Sequence, residues 1–465
     1  MASNVQIVSK KGVVLDAAAL TQLKTSVKGE VVIKGEAAKE KYLAAIDRFN
    51  KAGVDEAGII VYCESEQDVA ACLKFVQQWG LEVVIACGRH SYYKASTTKG
   101  GLVIDLAKMK KVTIDKEGMK ITAQEQGLSV VMGAANDTGI GGLTLGGGSG
   151  FLSGQYGLVI DNLLAARIVI ADGSVLEASE KKNPDLFWGI RGGGSNFGVV
   201  TEFTFKIHKQ GPVFFGPLIF TPDKIRPFLE LAEPMRQAAE ASGGKLAIFM
   251  AFTKAPGMPS VHPLGVIFYD GPEEEARKLT APLFDLGPVM AMLEMKKYIE
   301  VTTPSPLFTG PPTHQHYSTS NAPLNFPLDI PLLEAMTGDL DLFFNKYGDK
   351  VAPSKIAIEL RSYAKSSSVD PSATALRARA PTMMMVLEGQ HDGSTPEADI
   401  RAEVQKIIGR ARAKSGRFIN ANIGDGSEKV ADMFGDNFER LRQVKRKYDP
   451  GLVFNKWYPI SPAEA

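Results

Sequence analysis

Cysteine is scarce: Cys63, Cys72 and Cys87 are the three in a chain of 465 residues. An odd number without metal-type spacing argues against a disulfide framework or a zinc site and fits a reducing, cytoplasmic location. Long apolar runs are missing as well. No window approaches 18 apolar residues, so no membrane span is expected. The opening MASNVQIVSKKGVVLDAAAL lacks the apolar core and small-residue cleavage site of a secretory signal. Excess charge of either sign is absent, with 53 Lys plus Arg against 52 Asp plus Glu. Without a strong field, nucleic acid and anionic membrane are poor partners, and a small molecule is favoured. Hydrophobic residues at 44% and charged residues at 23% are ordinary for a globular protein. The length exceeds what one core holds and suggests two domains.

Glycine, by contrast, is concentrated. Between Gly139 and Gly154 lie eight glycines, interleaved with Ile140, Leu143, Leu145, Phe151 and Leu152. Each costs on the order of 0.5–1 kcal/mol relative to Ala in a regular element, so positive φ or close approach to a ligand must require them. Flexible linkers are polar, and this stretch is not. Gly146-Gly147-Gly148 followed by Gly150 offers successive amides of the kind that form an anion nest, with a phosphate as natural guest. The lysine of a Walker loop is absent, and the strand–turn–helix context of a Rossmann fingerprint is not met, which disfavours ATP and NAD.

Four ordered motifs then carry a family resemblance. They are Gly88-Arg89-His90-Ser91-Tyr92 with Gly101–Leu106; Gly142–Gly148 with Tyr156-Gly157-Leu158 and Asp161-Asn162-Leu163; Asn183–Trp188 running into Arg191–Thr201; and Phe434–Asn437 through Leu441, Lys445, Tyr448-Asp449-Pro450 and Phe454-Asn455. Together these resemble the berberine-bridge-enzyme-like oxidases, flavoproteins of the vanillyl-alcohol-oxidase type, in particular the fungal members of secondary metabolism. The resemblance spans about Gly35 to Ile460 and is weak between 212 and 415.

The resemblance implies an α+β chain with the two-domain PCMH-type FAD-binding fold. Residues 1–210 would form the FAD-binding domain, 211–415 a substrate domain of antiparallel sheet covered by helices, and 416–465 a return to the first domain. FAD would contact Gly88, Arg89, Ser91 and Tyr92 in the first loop, and Thr138, Gly139, Gly142 and Leu145 in the second. Further contacts would come from Gly146, Gly147, Gly148 and Gly150, then Gly198 and Val200, and finally Asn455. His90 matches the residue that bonds covalently to the flavin 8α carbon, a role suited to a neutral imidazole held rigidly at the end of a strand. Ala135 stands where some relatives have a second, cysteinyl attachment, so none is expected. Thr138 stands where the family has a residue that gates oxygen.

In chain order, Ala57–Tyr62 and Leu81–Ala86 read as strands flanking a helix to Trp79, which opens on a capping box at Ser65 and Asp68. Short strands are expected over Val112–Ala123, and longer ones over Leu163–Ile170 and Gly198–Ile207 with a hairpin turn at Ala171–Ser174 between them. Beyond Gly211, helices at about Thr221–Ala241, Glu273–Leu286, Leu328–Tyr347 and Pro396–Ala413 alternate with strands around Lys245, Val266, Ile356 and Met384. A last helix is expected over Glu428–Tyr448, with Arg442, Lys445, Arg446 and Lys447 on a solvated face.

Met383–Met385, Phe249, Met250 and Phe252 favour an apolar or aromatic substrate, though any single Met is more safely core. In many relatives a tyrosine in a late Asn-Tyr pair deprotonates the substrate. Here Asn420 precedes Ala421 and Asn422 precedes Ile423, so that base is missing. Tyr363, Tyr317 and Tyr458 are the candidate catalytic residues. Glu359, Arg361, Arg379, His391 and Asp425 are further polar candidates. His314 and His316 lack companion ligands at metal spacing, so no metal is expected. The expected activity is that of an FAD-dependent oxidase. It would take a hydride from an alcohol, amine or benzylic C–H of an apolar metabolite to flavin N5, with O2 as acceptor. The alternative is a redox-neutral cyclase or cycloaddition catalyst that keeps FAD as scaffold.

Overall fold

The computed structural model describes residues 7–8, 12, 14–92, 94–115, 120–121, 128–254, 258–303, 313–352, 354–377, 379, 383–416, 422–424 and 426–464. Phe418–Ala421, Asp425, Tyr93 and Thr382 lie outside them.

The first sheet runs Glu30–Ile33, Ile59–Tyr62, Leu102–Asp105, Val83–Ala86 across its width, antiparallel at the first pair and parallel at the other two. Its crossover helix, Glu66–Trp79, starts where the Ser65 hydroxyl accepts from the Asp68 amide and ends at Gly80 in the left-handed conformation. The expected reciprocal half of that box does not form. The Asp68 carboxylate instead accepts from the amides of Lys28, Gly29 and Glu64, tying an earlier loop to the helix.

A second sheet orders Lys120–Ile121, Val199–Lys206, Leu163–Val169 and Val175–Ser179, all antiparallel. The turn at Ala171–Ser174 therefore joins Leu163–Val169 to Val175–Ser179, a strand that the sequence pattern does not single out, and not to the strand beginning at Val199.

The third sheet has eight antiparallel strands, with His262–Tyr269, Leu246–Thr253, Lys355–Arg361 and Met383–His391 at its centre. Val213–Ile219 and His316–Leu324 flank these four. Helices Ala232–Ala241, Ile330–Tyr347 and Glu397–Ser415 cover one face, burying Ile248, Met250, Ile356, Ile358, Met383, Met385 and Leu387. Three expected helices are broken, each for a local reason. Thr221–Ala241 splits at Leu231 between prolines 227 and 234, and Glu273–Leu286 splits at Thr280 just before Pro282. Glu428–Tyr448 splits at Gly435, where φ is +49°.

Lys445 is the clearest correction. Its side chain is fully buried, and Nζ lies 2.6 Å from each of Asp449 Oδ2, Asn196 O and Phe454 O. One turn of helix places Asp449 beside it, so the lysine pins the Asn196 loop to the C-terminal segment instead of facing solvent.

Candidate FAD and substrate site

The glycine pattern has a structural meaning at Gly88 and Gly139. A Cβ on Gly88 would stand 2.0 Å from the Gly139 nitrogen, and one on Gly139 would stand 2.2 Å from the Gly88 nitrogen. The loop after Val83–Ala86 and the loop before the short helix Ile140–Leu145 thus touch backbone to backbone. Gly139→Ala is expected to cost about 1–3 kcal/mol through overpacking, read as a lower Tm together with loss of bound flavin.

Within Gly146–Gly150 three amides have internal partners. The amide of Gly146 donates to Gly142 O, that of Gly147 to Thr144 O and that of Gly150 to Ser153 Oγ. Positive φ at Gly147 and Gly148 curls the chain back, so that their carbonyls accept from the amides of Ile160 and Val159. Gly146 is needed because a Cβ there would meet Asn422 Oδ1 at 1.8 Å. Room for a ligand opens earlier in the run: a Cβ on Gly142 would meet nothing within 4 Å. Two residues on, the fully buried Thr144 hydroxyl has no partner among the described residues. Open backbone beside an orphaned buried hydroxyl fits a flat polar ring such as flavin.

His90 stands on the first loop, two residues after Gly88, and faces the start of the second. Its Nδ1 lies 3.4 Å from Thr138 Oγ1 and its Nε2 lies 3.4 Å from Asp137 Oδ1. Its ring stacks on Phe49 at 4.0 Å, and the Phe49 ring stacks on Tyr317 at 4.6 Å. Burial lowers the His90 pKa, opposed by the charge of Asp137. Arg89 is turned away: its guanidinium pairs with the buried Asp105, and its φ is +59°.

Tyr92 donates to Glu388 Oε2 at 3.2 Å, and Lys355 pairs with the other carboxylate oxygen of Glu388. The phenol of Tyr92 is pushed well up, first by burial and then by the Glu388 charge. Asn50 fixes the group, donating to Tyr92 O and Tyr317 O and accepting from the Tyr317 amide. Gln390 donates to the Tyr317 hydroxyl at 3.1 Å, and burial raises the pKa of that phenol too.

From this group a partly exposed strip runs along the face of the third sheet that is turned away from its helices. Lys355, Ala357, Glu359, Met384, Val386 and Phe249 are partly exposed, whereas Ile356, Ile358, Leu360, Met383, Met385 and Met250, which alternate with them, are buried. The methionine-rich strand is therefore core on one side and partly exposed on the other. At the Phe249 end of the strip, Phe151 of the glycine run packs on Phe215, Phe249 and Phe268, joining the two domains.

The three candidate tyrosines are not brought together. Tyr317 belongs to the group around His90. Tyr363 packs at the far end of the strip, its ring 4.9 Å below the Arg361 guanidinium. Tyr458 donates to Glu428 beside Trp457, and Asn455 lines a narrow cleft with Val83, Ser195 and Trp457. Gly198 sits against Ile168 and Val169, and the Val200 side chain is buried. Arg379 pairs with Asp161, and His391 with Glu397. Phe49, Asn50, Asp137, Lys355 and Glu388 were missed. A charge directly after the apolar run Met383–Leu387, on the same strand, was the available signal for Glu388; Phe49 and Asn50 offered none. Asn422 donates to Leu143 O, and Asn321 holds the carbonyl of Ile423, so the C-terminal segment does return to the glycine core.

Two glycine loops packed backbone to backbone, a histidine on the first of them and a helix-backed antiparallel sheet beside them are the arrangement of a PCMH-type FAD-linked oxidoreductase. Residues 57–179 match the family described as FAD binding domain, and residues 418–460 the family described as berberine and berberine like. The FAD-linked oxidoreductase pgmH of Aspergillus terreus is 42% identical over 96% of both chains. Among solved structures, 6-hydroxy-D-nicotine oxidase of Arthrobacter nicotinovorans superposes with a TM-score of 0.79 at 24% identity, covering 94% of this chain and 99% of that one. Physcomitrella patens BBE-like 1 superposes at 0.81 with 20% identity, covering 96% and 99%. The chain belongs to the berberine-bridge-enzyme-like FAD-linked oxidoreductases, and it is an enzyme that acts on a small molecule. Among the described residues no helix is long and apolar enough to cross a membrane.

Proposed function

We propose that the protein is an oxidase that removes hydride from a C–H beside oxygen or nitrogen, or from a benzylic carbon, of an apolar, ring-bearing metabolite. The observation that carries this is the hydrogen-bonded set Lys355, Glu388 and Tyr92, standing next to His90 at one end of an apolar, partly exposed strip. Bound FAD supplies the two-electron acceptor at N5, with dioxygen taking the electrons on. The protein's part is to lay the substrate along Ala357, Val386, Met384 and Phe249 and to receive its hydroxyl or amine proton at Glu388. Lys355 and Tyr92 orient that carboxylate, and Tyr317 closes the wall behind it. Glu388 supplies the proton acceptor that the missing late tyrosine left open, which removes the main ground for the redox-neutral alternative.

Residues 1–210 and 416–465 hold the cofactor in this reading, and residues 211–415 hold the substrate. A reducing, cytoplasmic site of action accords with free thiols at Cys63, Cys72 and Cys87 and is checked by fractionation of cells expressing a tagged chain.

His90 would carry the flavin covalently. A nitrogen–carbon bond to the 8α carbon replaces one N–H and one C–H, and two protons and two electrons pass to dioxygen. The purified protein should be yellow, and the colour should pellet with it after acid denaturation. His90→Ala should leave the colour in the supernatant. Because the His90 pKa lies below its ordinary value, the imidazole stays neutral further into acid than a free histidine does. Attachment of FAD to apoprotein should therefore persist through about pH 6.5 and fall only below it, whereas a raised pKa would slow it already above that point.

A further inference from the structure

We infer that Arg361 is the docking point for a negatively charged oxygen of the substrate, a carboxylate or an equally acidic enol, on an otherwise apolar ring system; this rests on the oxidase reading above. Arg361 ends the same row as Lys355, Ala357 and Glu359, paired across the sheet with Ala247 as Glu359 is with Phe249. It is 7% exposed, yet its Nε and Nη1 are buried and have no hydrogen-bond acceptor among the described residues. The nearest carboxylate, Glu359, comes within 3.6 Å of Nη1, beyond hydrogen-bond range. Buried donors of a guanidinium are rarely left unmade, because their lost hydration is not repaid.

Other buried cations are engaged: Lys355 is committed to Glu388 and Lys445 to Asp449, and Arg379 holds Asp161 with Nη1 and leaves only its Nε without an acceptor among the described residues. The Tyr363 ring supports the guanidinium from below and holds it in place. Six residues of strand separate Arg361 from Lys355, roughly 20 Å at about 3.3 Å per residue. A two- or three-ring molecule fits between them, its acid group at Arg361 and its oxidised carbon toward Glu388. Guanidinium is suited to this task, being permanently charged and weakly hydrated.

The test titrates the oxidised, flavin-loaded protein with 2-naphthoate and with 2-naphthamide, following the flavin absorbance. The two share a ring and differ in charge. The acid should bind about tenfold or more tightly than the amide. Arg361→Gln should bring its Kd to that of the amide, with flavin content and Tm unchanged. Glu359→Gln removes the competing carboxylate and should tighten naphthoate binding while leaving the amide alone, a gain that a merely structural role for Arg361 would not produce. If Arg361→Gln does not fold, Arg361→Lys keeps the charge, and it should retain part of the preference. Equal affinities in the wild type, no binding of either, or a preference that survives Arg361→Gln would overturn the inference. No turnover is involved, so a failure here is separate from a failure of the oxidase reading, which would show as a flavin that no donor reduces.

Discussion

Glu388→Gln slows flavin reduction by about 10²- to 10⁴-fold, the range expected when a positioned proton acceptor is removed. Glutamine keeps the shape of the side chain and can still meet Lys355 and Tyr92, so flavin content and substrate affinity should stay close to wild type. A fall in kcat with little change in KM marks an interaction made in the transition state. Glu388 qualifies by place: it is 9% exposed, on the face of the sheet turned away from its helices, and its two oxygens are held by groups from two domains. Tyr92→Phe removes one of those holds and should cost less. Anaerobic stopped-flow reduction separates the cases. A Gln variant that reduces its flavin within about threefold of wild type would move the proton to Glu359 or Tyr317.

Lys445→Met lowers stability by about 3–5 kcal/mol, because it strands the Asp449 carboxylate in a fully buried site. Asp449 also accepts from the amides of Val453 and Phe454, and Lys445 holds the carbonyls of Asn196 and Phe454. The loss should therefore loosen the loop at Asn196 together with the C-terminal segment. Pairing the change with Asp449→Leu should return much of the stability, since replacing both partners leaves no unmatched charge. Urea denaturation of the two variants measures this. A single variant within about 1 kcal/mol of wild type would mean that the pair is hydrated.

Lys445 also shows where the sequence misleads. A basic helix end reads as solvated because charge alone does not say which way the helix faces, and the buried partner only becomes visible once Asn196 and Phe454 arrive from elsewhere in the chain. The close contact of Gly88 with Gly139 was foreshadowed, because glycine in an apolar run is unfavourable unless something approaches too closely for a Cβ. His90 was legible through the motif around it. At Gly146 the missing Cβ is demanded by Asn422, some 276 positions on, which no local pattern announces. Glu388 was hidden by an ambiguity of register. In Met383–Leu387 nearly every side chain is apolar, so neither face announces itself until Glu388 is seen opposite Lys355. His316–Leu324 was passed over because its polar residues and Pro323 do not look like a strand, although it pairs along its whole length with Met383–His391. The broken helices follow from prolines and glycines that were visible in the sequence but were averaged over.

The most direct test of hydride removal onto flavin is the visible spectrum of the holoprotein, recorded anaerobically while aromatic and polyketide alcohols and amines are added one at a time. Bleaching of the flavin band by one of them, with recovery on admitting air and release of hydrogen peroxide, is the expected result. Consumption of a compound with the band unchanged would contradict it and would make the chain a redox-neutral catalyst carrying FAD as scaffold.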